Sequence, residues 1–298
     1  MAIFEGSAVA LVLPMHEDGS IDYDGFRCQV QRMLDGGVQA LLVNGTTGET
    51  ATIHIDDEFK LLDITLEMAA GTGVKVIAGA GSNDTATALK KAHYAKEKGA
   101  DAILVVTPYY NKTSQRGLIK HYTTVADAVD IPMILYNVPG RTGININVAT
   151  VVELAKHKNI VAMKDATDNI AYAMEVLAKT QGMDFDMYSG CDDNILPFIC
   201  ARRKKELFQY YQIFIHAKTE LLAQLALKGD LPKAQELAYA LEPVCRYLFI
   251  DVNPIMPKAA LARMNVCKPT LRLPLIETTE ENKKLLFDAM DAFEKLGF

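Results

Sequence analysis

Short apolar runs, rich in β-branched residues, recur along the first two-thirds of the chain: Ala8–Leu13, Ala40–Val43, Lys75–Ala80, Ala102–Thr107, Met133–Asn137, Val161–Lys164 and Phe185–Ser189. Runs this continuously apolar predict strands covered on both faces, as in a parallel sheet flanked by helices. Longer segments with helical spacing separate them. Asp22–Gly36 and Asp56–Ala70 carry acidic residues early and run to a glycine at or just beyond the end, which suits the helix dipole and helix termination. Thr85–Lys98 can be capped by Asn83 or Asp84 and stopped by Gly99. From about Lys218 the alternation ends, and Ala217–Leu227, Leu231–Leu248, Lys258–Met264 and Thr279–Leu296 all read as helices.

Seven strand–helix units in succession imply a parallel sheet, either open and doubly wound or closed into a barrel. The dinucleotide fingerprint that favours the open sheet is missing. Gly79-Ala80-Gly81 is followed by Ser82-Asn83-Asp84 where a third glycine is needed, and no G-x-x-x-x-G-K-[ST] occurs. The expected fold is an α/β (β/α)8 barrel over residues 1–225 with a C-terminal helical domain over 226–298. A barrel takes roughly 250 residues, which the chain of 298 accommodates.

Composition narrows the function classes. Half of the residues are apolar and 23% are charged, as in soluble globular proteins. A formal net charge of −6 argues against a nucleic-acid or anionic-membrane partner. Cysteines at 28, 191, 200, 245 and 267 are odd in number and form no C-x-x-C pair, so reduced thiols and a cytoplasmic location are expected. The six histidines include no H-x-x-x-H or H-E-x-x-H pair, so no metal site is expected. The N-terminal segment has no basic start and too short an apolar run for a signal peptide. No apolar stretch approaches the roughly 20 residues that span a bilayer.

Polar residues cluster just after strand runs: Asn44 to Thr50, Thr107 to Lys112, Tyr136 to Gly143, and Lys164-Asp165. In a barrel these points share the C-terminal face, where active sites are built. Each residue carries two readings. Lys164 is either a partly desolvated, nucleophilic amine or a solvated lysine at a strand end. Gly45-Thr46-Thr47-Gly48 is either a carboxylate cradle or a tight turn with a helix cap. Tyr136 either transfers protons or is a core tyrosine with a satisfied hydroxyl. Arg141 offers a planar fork to a carboxylate, or forms a surface ion pair. Their succession on barrel loops favours the chemical readings.

Together GTTGE at 45–49, TPYYN at 107–111, YNVPGRTG at 136–143 and the lysine of AMKDAT at 162–167 resemble the dihydrodipicolinate synthases, part of the pyruvate-dependent aldolase family that includes N-acetylneuraminate lyase. The resemblance covers nearly the whole chain and keeps the family's motif order. It implies that pyruvate forms an imine and then an enamine on Lys164, with no added cofactor. The enamine attacks the aldehyde of L-aspartate 4-semialdehyde, and cyclisation gives 4-hydroxy-tetrahydrodipicolinate, a precursor of diaminopimelate and lysine. The resemblance further implies a proton relay of Thr47, Tyr136 and Tyr110 from a neighbouring subunit, within a tight dimer paired into a homotetramer. Thr46 and Thr47 would hold the pyruvate carboxylate, with Gly190 also lining the substrate site. Arg141 would bind the semialdehyde carboxylate, a feature that sugar-acid lyases of the family lack. Glu58 stands where lysine-inhibited members often carry a histidine, implying weak or absent feedback by lysine. The rival readings are another aldolase of the family, acting on a sugar acid or hydroxy-keto acid, and a non-catalytic keto-acid-binding or scaffold protein on the same fold.

One stretch, Ile199–His216, departs from the pattern. The family expects a glycine-rich turn and then an eighth strand resembling GVISV, but Arg202-Arg203-Lys204-Lys205-Glu206 stands there. Burying such charges unpaired costs several kcal/mol each. One choice of codons for Glu206–His216, preceded by a G and read from there, gives Gly-Val-Ile-Ser-Val-Leu-Ser-Asn-Ile-His-Pro. Likewise CGG CGG for Arg202-Arg203 becomes Gly-Gly one base later. A reading-frame error in the sequence as given accounts for this. Alternatively the stretch is genuine: Leu207–Ile215, rich in Phe, Tyr and Ile, supplies the eighth strand and the basic run a solvated loop. Resequencing the gene is expected to return the glycine-containing strand; an unshifted RRKKELFQYYQ would refute the frame error.

Overall fold

A computed structural model describes residues 3–4, 6–201 and 216–297. Seven strands form one parallel sheet: β1 (Ala8–Ala10), β2 (Ala40–Val43), β3 (Lys75–Gly79), β4 (Ala102–Val106), β5 (Met133–Asn137), β6 (Ile160–Asp165) and β7 (Asp186–Ser189). Each strand pairs with the next in the chain, from β1 through β7. A doubly wound sheet reverses at a switch point. An unbroken sequential order is that of a barrel wall, built strand after strand around an axis. The wall curls until its ends approach: Phe4, ahead of β1, stacks on Tyr188 of β7 with ring centroids 5.0 Å apart and planes 2° from parallel.

Strand periodicity sorts the side chains into two layers. Ala8, Ala10, Ala40, Leu42, Ile77, Ala102, Leu104, Ile134, Tyr136, Ala162 and Tyr188 pack together inside the curl. Their neighbours Val9, Leu41, Val76, Ile103, Val105, Met133, Leu135, Met163 and Met187 face outward into a second core beneath the helices. This double coverage is why the strands read as continuous apolar runs rather than alternating ones.

The helices of the outer layer are α1 (Tyr23–Asp35), α2 (Ile55–Ala69), α3 (Thr85–Lys98), α4 (Gln115–Ala128), the single turn α5 (Pro139–Thr142), α6 (Val148–Leu154), α7 (Ile170–Lys179) and α8 (Ile195–Ala201). Their ends follow local chemistry. The Asp84 carboxylate accepts from the Ala86 and Thr87 N–H groups at the start of α3, and Gly99 takes the left-handed conformation at its end, φ 84°. Four more helices complete the chain: α9 (His216–Leu227), α10 (Leu231–Leu248), α11 (Ile255–Arg263) and α12 (Glu280–Lys295). They are not loosely appended. Leu237, Leu241 and Val244 of α10 and Leu286, Met290 and Phe293 of α12 belong to the same outer core as the strands. Glu220 of α9 accepts a 2.8 Å hydrogen bond from the Ser7 N–H, just before β1.

The expected elements differ mainly at their ends. β1 stops at Ala10 instead of Leu13, although the Leu11 N–H still donates to the Leu42 carbonyl at 2.9 Å. α11 begins at Ile255 rather than Lys258, because the lysine is an interior position of that helix. The basic run 202–206 and the expected eighth strand at 207–215 lie outside the described residues. Among the described residues no helix is long and apolar enough to cross a membrane.

Candidate active site

Lys164 sits on β6 in phase with Ala162, so its side chain enters the curl of the sheet. It is fully buried. In register beside it stand Tyr136 on β5 and Tyr188 on β7. The Lys164 Nζ lies 4.2 Å from the centroid of the Tyr136 ring. Burial holds the Lys164 pKa well below the ordinary lysine range; the Arg141 charge pushes the same way, and Cys191 and Asp192 oppose it. Loss of hydration removes the stabilisation that an ammonium enjoys in water, so the neutral, nucleophilic amine gains.

Tyr136 is itself buried, and burial raises its pKa to about 12, with Arg141 and a hydrogen bond to the Thr46 side chain pulling it back. It therefore keeps its proton at neutral pH. Gly190, just beyond β7, has a steric reason to lack a side chain. A Cβ there would lie 2.8 Å from the Ala166 Cβ and 3.1 Å from the Lys164 Cε. The missing methyl leaves room beside the amine.

The loop after β2 is bent by two non-glycine residues in the left-handed region, Asn44 at φ 58° and Glu49 at φ 53°. Between them Thr46–Gly48 forms one 3-10 turn. Left-handed backbone costs roughly 1–2 kcal/mol per residue, so other contacts must hold the loop. The Asn44 Nδ2 donates to the Glu58 carbonyl at 2.8 Å. The Glu49 carboxylate receives the Lys258 Nζ of α11 at 2.5 Å, both side chains being almost wholly buried, and the Arg272 N–H at 3.1 Å. Lys258 also donates to the Thr270 carbonyl at 2.6 Å. Burial lowers its pKa, and Glu49 counteracts that.

Thr47 is 1% exposed, and its Oγ1 accepts from the Asn253 Nδ2 at 2.9 Å. Asn253 joins α10 to α11, and its main-chain carbonyl accepts from the Arg141 Nη2 at 3.0 Å. Arg141 rides on α5, immediately after β5. The structure thus brings Lys164, Tyr136, Thr46, Thr47, Gly190 and Arg141 to one end of the barrel. The Thr46 side chain lies close enough to Tyr136 to lower its pKa, and the Thr47 hydroxyl accepts from Asn253. Tyr110 is elsewhere: it is 93% exposed on a left-handed backbone with φ 66°. Within its own chain it touches none of the others' hydrogen bonds. Beneath it Thr107, fully buried, donates to the Thr142 Oγ1 at 3.0 Å and ties two site loops together.

Sequence reasoning missed Asn253 and Lys258. Lys258 did leave a signal. It is a cation in the otherwise apolar run Ile255–Leu261, and a lysine so placed must find a buried partner. Asn253 left none, since an asparagine before a proline reads as a turn. Among the described residues no group of three His, Cys, Asp or Glu side chains is arranged to hold a metal ion.

Comparison with known proteins gives a consistent picture. The model of the dihydrodipicolinate synthetase family matches residues 3–293. A 4-hydroxy-tetrahydrodipicolinate synthase of Thermoanaerobacter sp. (strain X514) is 38% identical over 294 residues, covering 98% of each chain. One from Geobacter sulfurreducens is 41% identical over 292 residues, covering 98% of this chain and 99% of the relative. A crystal structure of dihydrodipicolinate synthase from Aquifex aeolicus superposes with a TM-score of 0.93 at 39% identity, covering 98% of both chains.

The buried ion pair yields a stability prediction. Lys258→Met leaves the Glu49 carboxylate buried without its counter-charge and is expected to cost about 3–5 kcal/mol in urea unfolding. Pairing Lys258→Met with Glu49→Leu is expected to recover most of that loss.

Proposed function

The chain belongs to the dihydrodipicolinate synthetase family, and on that premise we propose that it condenses pyruvate with L-aspartate 4-semialdehyde to 4-hydroxy-tetrahydrodipicolinate through a Schiff base on Lys164. The observation that carries this reading is the fully buried lysine at the mouth of the barrel, its pKa lowered by desolvation. A neutral amine is the form that attacks a ketone. Attack on the pyruvate C2 and loss of water give the imine. Loss of a proton from C3 gives the enamine, whose C3 bonds to the aldehyde carbon of the semialdehyde. The semialdehyde's amino group then attacks C2, closing the ring and releasing Lys164. No added cofactor takes part, because the covalent imine is the electron sink.

The remaining roles follow from the chemistry of each side chain. Thr46 and Thr47, with the backbone of their 3-10 turn, hold the pyruvate carboxylate. Tyr136, protonated at neutral pH, exchanges protons with the reacting carbons together with Thr47. Gly190 leaves space for the substrate beside the amine. Arg141 binds the carboxylate of the semialdehyde through its planar fork. That carboxylate selects this substrate over a sugar acid, whose hydroxyls a guanidinium fits poorly. Tyr110 completes the relay from a neighbouring subunit. Its near-total exposure on a left-handed backbone supports this, because a bulky residue in that region is a rare conformation, and an aromatic ring of this size gains most when covered. The assembly is a tight dimer, paired into a homotetramer, acting in the cytoplasm. The barrel proper ends near residue 225, and the helices beyond it brace the site.

Borohydride reduction in the presence of pyruvate, followed by peptide mass mapping, tests the central step. The expected adduct is on Lys164 and is abolished by Lys164→Met. An unmodified Lys164 with intact protein would defeat the Schiff-base reading. Lys164→Met also has a predicted effect on stability. An unfolded chain protonates this lysine below a pKa of about 10.4, while the folded chain resists doing so. Protonation therefore favours unfolding between the lowered folded pKa and about 10.4. The methionine variant is expected to unfold at higher urea than the parent at pH 8, with the gain shrinking as pH rises towards 10.

Feedback by lysine is expected to be weak or absent. Glu58 is buried and its carboxylate already receives the Lys91 ammonium at 2.8 Å, so it offers little to a second one. An inhibition curve at low lysine concentration would contradict this.

A further inference from the structure

We propose that Asn253 is a positioning residue: it sets the direction in which Thr47 points its hydroxyl proton and the angle at which Arg141 presents its guanidinium. The inference rests on the roles given to Thr47 and Arg141 above and extends them to a residue that those roles do not include.

A hydroxyl has one proton to give and two lone pairs with which to accept. An amide nitrogen can only donate. With the Asn253 Nδ2 2.9 Å from the Thr47 Oγ1, Thr47 must accept there, and its own proton must point somewhere else. Thr47 is 1% exposed, so bulk water does not take that proton. What remains is the pocket, where the Thr46 side chain lies beside Tyr136. Asn253 therefore turns Thr47 into a donor towards the reacting groups.

The second arm is the Asn253 carbonyl, which accepts from the Arg141 Nη2 at 3.0 Å. Arg141 is exposed, and a long exposed side chain samples many rotamers. Anchoring one of its five N–H groups leaves the others free for a carboxylate, held at a fixed tilt. This arm is main chain, so it survives substitution of the side chain. The two arms are thus separable by experiment.

Asn253 is itself well placed to act as a fixed point. Five residues on, Lys258 pairs with Glu49, which ends the turn that carries Thr46 and Thr47. The 253–258 segment therefore grips the threonine turn at two points, at Thr47 in its middle and at Glu49 at its end.

The test uses the full chain with Asn253→Ala and Asn253→Asp, checked for folding by thermal melts. It reads kcat, both KM values, the pH profile and borohydride trapping. Asn253→Ala is expected to lower kcat by roughly tenfold, the scale of one net hydrogen bond, while the KM for the semialdehyde stays within about twofold because the Arg141 anchor remains. Asn253→Asp, an acceptor when ionised, is expected to be slower than the alanine variant at pH 8 and to recover as pH falls and the carboxyl gains a proton to donate. An aspartate variant with the parent kcat would overturn the proposal, since the amide would then be accepting from Thr47. An alanine variant with unchanged kcat, or with kcat and semialdehyde KM damaged alike and an unaltered pH profile in both variants, would reduce Asn253 to a packing residue and overturn it too. Pyruvate trapping keeps the two levels of inference apart. If Lys164 forms the adduct in the parent and both variants, the Schiff-base reading stands whatever the kinetics say of Asn253. If the parent forms none, that reading fails and this one falls with it.

Discussion

The chemistry proposed for this chain depends on keeping water away from one amine. Lysine at the end of a strand is ordinarily a solvated cation. Here strand periodicity turns Lys164 inward, the ring of Tyr136 covers its Nζ, and small residues at Ala162, Ala166 and Gly190 leave room without admitting bulk solvent. Desolvation works against the ammonium, so the neutral amine gains before any substrate arrives. The barrel supplies this cheaply, because its interior exists for packing reasons and the lysine occupies the last position of an already apolar wall.

A reactive pocket at the end of a barrel needs walls that do not move. Two of them are loops with left-handed residues, around Asn44 and Glu49 and around Tyr110 and Lys112. The first is restrained by charge: Lys258 and the Arg272 N–H converge on Glu49 from the C-terminal third of the chain. Arg272 also donates to the Gly19 and Thr52 carbonyls, at 2.9 and 2.7 Å. The C-terminal helices thus act as a brace for the threonine turn as well as a cover for the barrel's outer core. A buried ion pair is a weak source of net stability, but it is a strong constraint on geometry, and geometry is what this turn requires.

Much of this was legible in the sequence. The strands announced themselves because both faces are covered, and α3 falls on its expected bounds because Asp84 and Gly99 act locally; α10 also falls on its expected bounds. The positions of Lys164, Tyr136 and Arg141 at strand ends followed from the barrel order, as did that of the threonine turn. What the sequence hid was long-range pairing. Lys258 looked like the start of a helix, when it is an interior residue whose charge is answered by Glu49. Asn253 carried no signal. Hydrogen bonds between distant segments have no local signature, because neither partner's neighbours in sequence know of the other.

The contact between Asn253 and Thr47 joins residues 206 positions apart. On a ribosome adding about 5–20 residues per second, roughly 10–40 s pass between the emergence of the two. During that interval the first half of the barrel has its threonine turn without the Asn253 contact and the Glu49 carboxylate without Lys258. Contacts of such range also cost loop-closure entropy before they repay it. The threonine turn is therefore secured from this side only once the 253–258 segment has been made, and a chain cut short before Asn253 would carry Lys164 and Tyr136 beside a turn that this segment has never gripped.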